Sequence, residues 1–273
     1  MPSRYAIICG NGRFPILALE AARRQGDEVV AFGIKEEADA AIESLASRTH
    51  WISLGQLSKL IDTLHKEGIS EVMMAGQVKH VSIFSAITPD WRLLKLLGKL
   101  ATKNTDSLIG VVVDELRGEG IHLVESTRLL TSLLATAGPM TRRKPSREEE
   151  GNVAYGREIA NLIAGQDIGQ SVAIADGACV AIEAMEGTDA MLRRAASLVN
   201  GKELTLVKVS RRRKHMLFDV PVTGPTTIEV MKECNAKVLA VDAGRTLLLD
   251  KDALITAADA AGIAMVGFAP ADS

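Results

Sequence analysis

Three short stretches of the 273-residue chain combine glycines, acids and cations in ways that suit phosphate chemistry. In the first, Glu183, Glu186 and Asp189 surround Gly187 and Thr188. They stand where an apolar run ends and a helical pattern begins. Capping by Thr188 or Asp189 accounts for part of that acidity, because a first helical turn carries unpaired N–H groups. A glycine among acids also lets a ligand approach the backbone closely, which favours a binding role. In the second stretch, Asp219 lies in Phe218-Asp-Val-Pro-Val-Thr-Gly224, shortly after Arg211-Arg-Arg-Lys214. A carboxylate close before a proline commonly shapes a turn. Beside a run of cations it is also a candidate Mg²⁺ ligand or general base, with the cations ready for an anion. The plainer reading of the basic run is a solvated loop, or a patch that meets acidic membrane.

The third stretch, Gly10-Asn11-Gly12-Arg13-Phe14-Pro15, joins a first apolar run to a first helical pattern. Its glycines and the helix start behind them offer backbone N–H groups to a phosphate. The full dinucleotide fingerprint fails, because residue 15 is proline and no clear acid closes the second strand. That argues against a nicotinamide cofactor. The five histidines show no HxxxH spacing, so a zinc site would need ligands from distant segments. No G-x-S-x-G elbow is present for a serine hydrolase. These features together point to phosphate chemistry with oxygen ligands.

Placing such residues requires regular elements, and the first half alternates them. Tyr5–Cys9, Val29–Phe32, Glu71–Ala75 and Ile121–Val124 read as strands. Helices are expected from Pro15 to about Gln25, from Asp90 to Ala101 and from Thr105 to Arg117, with a last one ending near Ala137. Another, near Gly55 to Glu67, carries Leu57, Leu60, Ile61 and Leu64 at i, i+3, i+4, i+7 and stops at Gly68. Strands separated by helices of this length imply an α/β fold, a Rossmann-like parallel sheet over residues 1–137. Residues 138–150 hold two prolines and a basic-then-acidic run, which reads as a linker. Residues 151–273 form a second, mixed α/β (α+β) domain, opening with a helix near Asn152 and a hairpin turned at Asp176-Gly177.

Composition narrows the function classes. Apolar residues make up 47% and charged residues 24%, with mean hydropathy +0.13, so both halves can bury a core. Aromatics at 3% are too scarce to pave a sugar- or single-strand-binding surface. A net charge of −2 and a pI near 6.2 argue against nucleic acid as a partner. The longest uncharged run, residues 129–141, is too short and polar to span a bilayer. No signal-peptide pattern opens the chain, and Cys9, Cys179 and Cys234 lack any CxxC spacing. A cytoplasmic protein without a disulfide framework is expected.

Several strings of the chain resemble one family. Asp167-Ile-Gly-Gln170, Ile182-Glu-Ala-Met-Glu-Gly-Thr-Asp-Ala-Met-Leu-Arg-Arg194 and Phe218-Asp-Val-Pro-Val-Thr-Gly224 are similar to the UDP-2,3-diacylglucosamine pyrophosphatases of the LpxI type. Gly10-Asn-Gly-Arg-Phe-Pro15 stands where that family has a glycine-rich turn, and Met74-Ala-Gly-Gln-Val78 and Asp106-Ser-Leu-Ile109 match further segments in order. The resemblance implies Mg²⁺- or Mn²⁺-supported hydrolysis of UDP-2,3-diacylglucosamine to UMP and 2,3-diacylglucosamine 1-phosphate (lipid X), a step of lipid A synthesis in Gram-negative bacteria. The family's catalytic aspartate maps onto Asp219. The sequence departs from the family before it: Lys214, His215 and Leu217 replace its Gln, Asp and Arg.

On this combined reading Asp219, Glu186, Asp189 and Lys208 are the catalytic candidates, with Asp219 and Asp189 as metal ligands. Substrate contacts fall to Gly10, Asn11, Gly12, Gly76, Gln77 and Asp106 in the first half. In the second half they fall to Gln170, Thr188, Arg211, Arg213, Thr223 and Gly224. The expected partner is a lipid-linked nucleotide sugar, met through transient contact with the cytosolic face of the inner membrane; a homodimer is compatible. The alternatives are a non-catalytic nucleotide-sugar or lipid-binding protein and a nicotinamide-dependent oxidoreductase.

Overall fold

The computed structural model of the chain describes residues 3–78, 88–98, 105–211, 217 and 220–270, with backbone alone for 105–107. It divides into two compact units, residues 1–130 and 131–273.

A parallel strand covered by helices on both faces must be apolar along its length. In the first unit β1 (Arg4–Cys9) and β2 (Glu28–Ile34) are buried throughout except for their first residue. With β3 (Arg48–Ile52), β4 (Glu71–Ala75) and β5 (His122–Leu123) they form a five-stranded sheet in the order β3-β2-β1-β4-β5. Every pairing in it is parallel. The helices are α1 (Phe14–Gln25), α2 (Ile42–Leu45), α3 (Leu57–Lys66), α4 (Trp91–Leu97) and α5 (Thr105–Gly118). The leucine stripe of α3 packs on Ala6, Ile8, Val30 and Phe32, as the periodicity predicts. Each such side chain contributes about 1.5–3 kcal/mol by leaving water. The strand order reverses between β1 and β4, where doubly wound sheets open a crevice beyond their carboxyl ends.

In the second unit the six-stranded sheet runs β6-β13-β11-β9-β7-β8. Its strands are β6 (Gly138–Pro139), β7 (Ser171–Ala175), β8 (Ala178–Ile182), β9 (Leu204–Lys208), β11 (Ala236–Asp242) and β13 (Ala264–Phe268). The central trio β9, β11 and β13 is parallel, and β6, β7 and β8 each run antiparallel to a neighbour. β10 (Val222–Thr223) and β12 (Leu247–Leu248) pair separately. Helix α6 (Arg147–Gly165) covers one face, through Val153 and Ala160 on Val207, Val238 and Ala240. On the other face Leu206, Leu239 and Met265 meet side chains of α7 (Thr188–Leu198), α8 (Pro225–Glu233) and α9 (Lys251–Ala260). The Asp176-Gly177 hairpin forms as expected, both residues at positive φ, 47° and 74°.

Three sequence expectations change. Strand β3 is additional to those expected. The helix expected to end near Ala137 is absent: only a single 3₁₀ turn forms, Thr131–Leu133. The leucines there have helical spacing, but Ala135 donates to the Thr246 carbonyl and Leu134 bridges to Leu247, so pairing within the second unit wins over local preference. The expected linker is also structured. Gly138 and Pro139 pair with β13 at the sheet edge, where a proline is tolerated. Arg143 bonds Glu149 at 2.6 Å, and Ser146 and Glu149 form a capping box that starts α6.

Candidate functional site

Because β9 and β11 run parallel, their last residues, Lys208 and Asp242, come to the same edge of the sheet. β7 runs the other way, so its first residue reaches that edge, and Ser171 stands opposite Lys208 in register. Helix α7 starts there too, after Gly187 at φ 82°. Its first residue turns a hydroxyl inward: Thr188 Oγ1 donates to Glu183 Oε1 at 2.8 Å, and Lys208 Nζ donates to it at 3.1 Å. Ser171 Oγ lies 3.2 Å from the same oxygen. Ser171, Glu183 and Lys208 are all buried. Gln170 joins them, its N–H facing Glu183 Oε2 at 3.4 Å and its carbonyl accepting from Val209. Its side-chain Oε1 is buried with no hydrogen-bond partner among the described residues. A Cβ on Gly169 would lie 2.0 Å from the Glu183 carbonyl oxygen, so only glycine lets this loop close against Glu183.

Lys208, Thr188 and Gln170 are thus candidates from the sequence that the structure brings together. It leaves Glu186 and Asp189 with other tasks. Glu186 bonds Arg194 at 2.6 Å and the Ala184 N–H at 3.0 Å, closing the turn before α7. Partial burial works against its charge, but the Arg194 bond and the backbone N–H outweigh that and hold its carboxyl below the usual range. Asp189 makes no hydrogen bond or ion pair among the described residues and sits in the first turn of α7, where the helix dipole favours an acid. Arg211 lies 3.6 Å from Asp167 and anchors the loop before Gln170. Thr223, at the end of β10, has a buried hydroxyl without a hydrogen-bond partner among the described residues, and Gly224 caps α8. Asp219 and Arg213 fall outside the described residues. So does the side chain of Asp106, on α5. Among the described residues no three His, Cys, Asp or Glu side chains gather to hold a metal.

Sequence reasoning misses Asp242. It is almost fully buried, accepts from Ser210 N–H at 2.7 Å and Oγ at 2.8 Å, and pairs with Arg157 at 3.1 Å. It thus fixes the backbone that leaves Lys208. An acid closing an apolar strand is the signal that could have found it. Arg157 also stacks over Phe268 at 5.0 Å and lines an open cleft of ≈ 930 Å³ with Pro139, Ala154, Leu162 and Val266. Most of its exposed wall is apolar, with Lys144, Glu150, Glu158 and Asn161 lining the remainder.

At the carboxyl edge of the first sheet, Gly10–Gly12 and Gly76-Gln77 meet each other. Asn11 N–H donates to the Gln77 carbonyl at 2.7 Å, and Gln77 N–H to the Asn11 carbonyl at 3.1 Å. A Cβ on Gly76 would fall 2.7 Å from Asn11 O, and one on Gly10 2.7 Å from Gln77 O. These two glycines are explained by the close approach of the loops. Gly12 differs: at φ 94°, a Cβ added to it would meet no atom within 4 Å, so it faces open space.

The class so defined is a two-unit α/β protein with a doubly wound first sheet and a buried cation at the carboxyl edge of the second. The chain belongs to the LpxI family: the model of the LpxI N-terminal domain matches residues 4–133 and that of the LpxI C-terminal domain residues 136–266. A protein of Caulobacter vibrioides named UDP-2,3-diacylglucosamine pyrophosphatase LpxI is 29% identical to it, over 98% of each chain. Among solved structures, a Rhizobium etli pyruvate carboxylase variant with acetyl coenzyme-A aligns with 72% of this chain at 13% identity and TM-score 0.29. The biotin carboxylase domain of Hydrogenobacter thermophilus 2-oxoglutarate carboxylase aligns with 72% at 12% identity and TM-score 0.25. The chain spans 15% and 41% of those two proteins, and likenesses this low carry no functional argument.

Proposed function

We propose that this chain hydrolyses the pyrophosphate of UDP-2,3-diacylglucosamine, releasing UMP and 2,3-diacylglucosamine 1-phosphate. Family membership supports the substrate. The observation that carries the chemistry is Lys208: a residue only 8% exposed, whose ammonium has three donors and one hydrogen-bond partner among the described residues. Burying a cation is costly unless an anion meets it. A phosphoryl group at the sheet edge would take the two remaining donors. As the bond to the leaving phosphate breaks, negative charge grows on the oxygens, and a fixed ammonium in a dry corner stabilises that charge more than the starting one.

The apolar cleft beside Arg157 suits an acyl chain, and Arg157 links it to the Asp242 end of the same edge. A lipid-linked substrate also implies working at a membrane surface; among the described residues no helix is long and apolar enough to cross one. Asp219 is the proposed base or divalent-cation ligand, on the family resemblance. Asp189 is the second proposed ligand for Mg²⁺ or Mn²⁺, with substrate phosphate oxygens and water to complete the shell.

The test is UMP release from UDP-2,3-diacylglucosamine by purified protein. Lys208→Met keeps the aliphatic stem and is expected to lower kcat about 10²–10³-fold. Wild-type protein that binds the lipid but releases no UMP would make it a binding protein.

A further inference from the structure

Thr188 Oγ1 has one hydrogen and two lone pairs, and three neighbours claim all of them. Glu183 accepts only, as a carboxylate, so the hydrogen points to it, at 2.8 Å. Lys208 donates only, at 3.1 Å, and takes one lone pair. Ser171, at 3.2 Å, must then be the donor to the other. No direction in this cluster is left to choice. Lys208 has no carboxylate within ion-pair distance among the described residues; its nearest negative charge in the network, Glu183, lies one hydroxyl away. Glu183 is itself only 7% exposed, held by the close Gly169 loop and the Gln170 N–H.

We infer that Glu183 and Thr188 are positioning residues for Lys208: the buried carboxylate polarises the Thr188 hydroxyl, which holds the ammonium by one hydrogen and turns the other two toward a phosphoryl oxygen. This rests on the phosphate-cleaving reading above. A direct Glu183–Lys208 ion pair would neutralise the cation and occupy its donors. The intervening hydroxyl leaves the charge available while lowering the cost of burying it. Oxygen of the right polarity at that point is therefore what the arrangement requires, not bulk.

The variants follow from that. Thr188→Val keeps shape and removes the oxygen; Thr188→Ser keeps the oxygen and removes a methyl. Two readouts are taken on each: steady-state UMP release, and binding of inorganic pyrophosphate by calorimetry, which needs no turnover. Thr188→Val is expected to lower kcat about 10–10²-fold with KM changed little, and to weaken pyrophosphate binding at least fivefold. Thr188→Ser is expected within threefold of wild type on both, and Glu183→Gln between the two. Equal losses in the Val and Ser variants, tracking melting temperature, would overturn the inference, because packing alone would then explain the site. Wild-type kcat and pyrophosphate binding in Thr188→Val would overturn it as well. If wild-type protein releases no UMP, yet pyrophosphate binding falls with Val and returns with Ser, the positioning stands and the hydrolase reading fails.

Discussion

At the scale of single residues, what distinguishes this chain is which polar groups are buried and what each still lacks. Buried Asp242 and the exposed Glu186 are occupied by arginine and backbone donors, whereas among the described residues Lys208 and Gln170 keep unused capacity. The thiols are the opposite case: burial pushes Cys9 up to about 12 and also raises Cys234, which suits packing rather than nucleophilic chemistry. Asp219 gives the sharpest single-residue prediction. Asp219→Ala is expected to reduce UMP release about 10²–10³-fold at unchanged melting temperature. An early-melting variant with near-normal turnover per folded molecule would show that the residue only shapes the turn before Pro221.

At the scale of elements, α6 is legible and misplaced at once. Its apolar positions from Asn152 onward announce a helix, but its start is hidden inside a charged stretch that resembles a linker. The signal is the Ser146-x-x-Glu149 box, whose two reciprocal hydrogen bonds are made at 3.3 and 2.7 Å. Ser146→Ala is expected to cost about 1 kcal/mol, read as a lower denaturant midpoint at unchanged slope. The α3 stripe, the Asp176-Gly177 hairpin and most strands are readable because local pattern and tertiary packing agree there. β3 is not, since its residues are exposed or only partly buried except for Ile52. The site is half legible for a similar reason. Thr188 and Gln170 lie in distinctive strings, but the union of Lys208 with Ser171 depends on an antiparallel register that no single segment encodes.

At the scale of the molecule, an anchoring cluster occupies the amino edge of the first sheet, opposite the end where the Gly10–Gly12 and Gly76-Gln77 loops meet. That edge carries Glu67, which is buried and accepts from Arg48 at 2.9 Å, from Arg4 at 3.2 Å and meets His50 at 2.8 Å. The Arg48 bond first, then His50, holds the Glu67 carboxyl below its usual range. A group with a lowered folded-state pKa stabilises fully above its unfolded value and loses that contribution as pH falls. The melting temperature of wild type should thus exceed that of Glu67→Gln at neutral pH, and the gap should close below about pH 4. A gap of the same size at every pH from neutral down into the acid range would mean the carboxylate's charge is not what matters.

The reversed direction of β7 carries a consequence for how the chain can be cut. Both ends of the β7–β8 hairpin, Ser171 and Ile182, lie at the Lys208 edge, so its tip lies at the other one. Five residues of strand put about 16 Å between them. The tip is tied by Asn152 to the Gly177 N–H at 2.9 Å and by an exposed Lys202–Asp176 pair. New termini opened between Asp176 and Gly177 would sacrifice those two tethers and a tight turn, while the polypeptide that assembles the Lys208 corner would remain uninterrupted. The molecule thereby has a natural place for a tag, a dye or a permuted start, remote from the Lys208 edge.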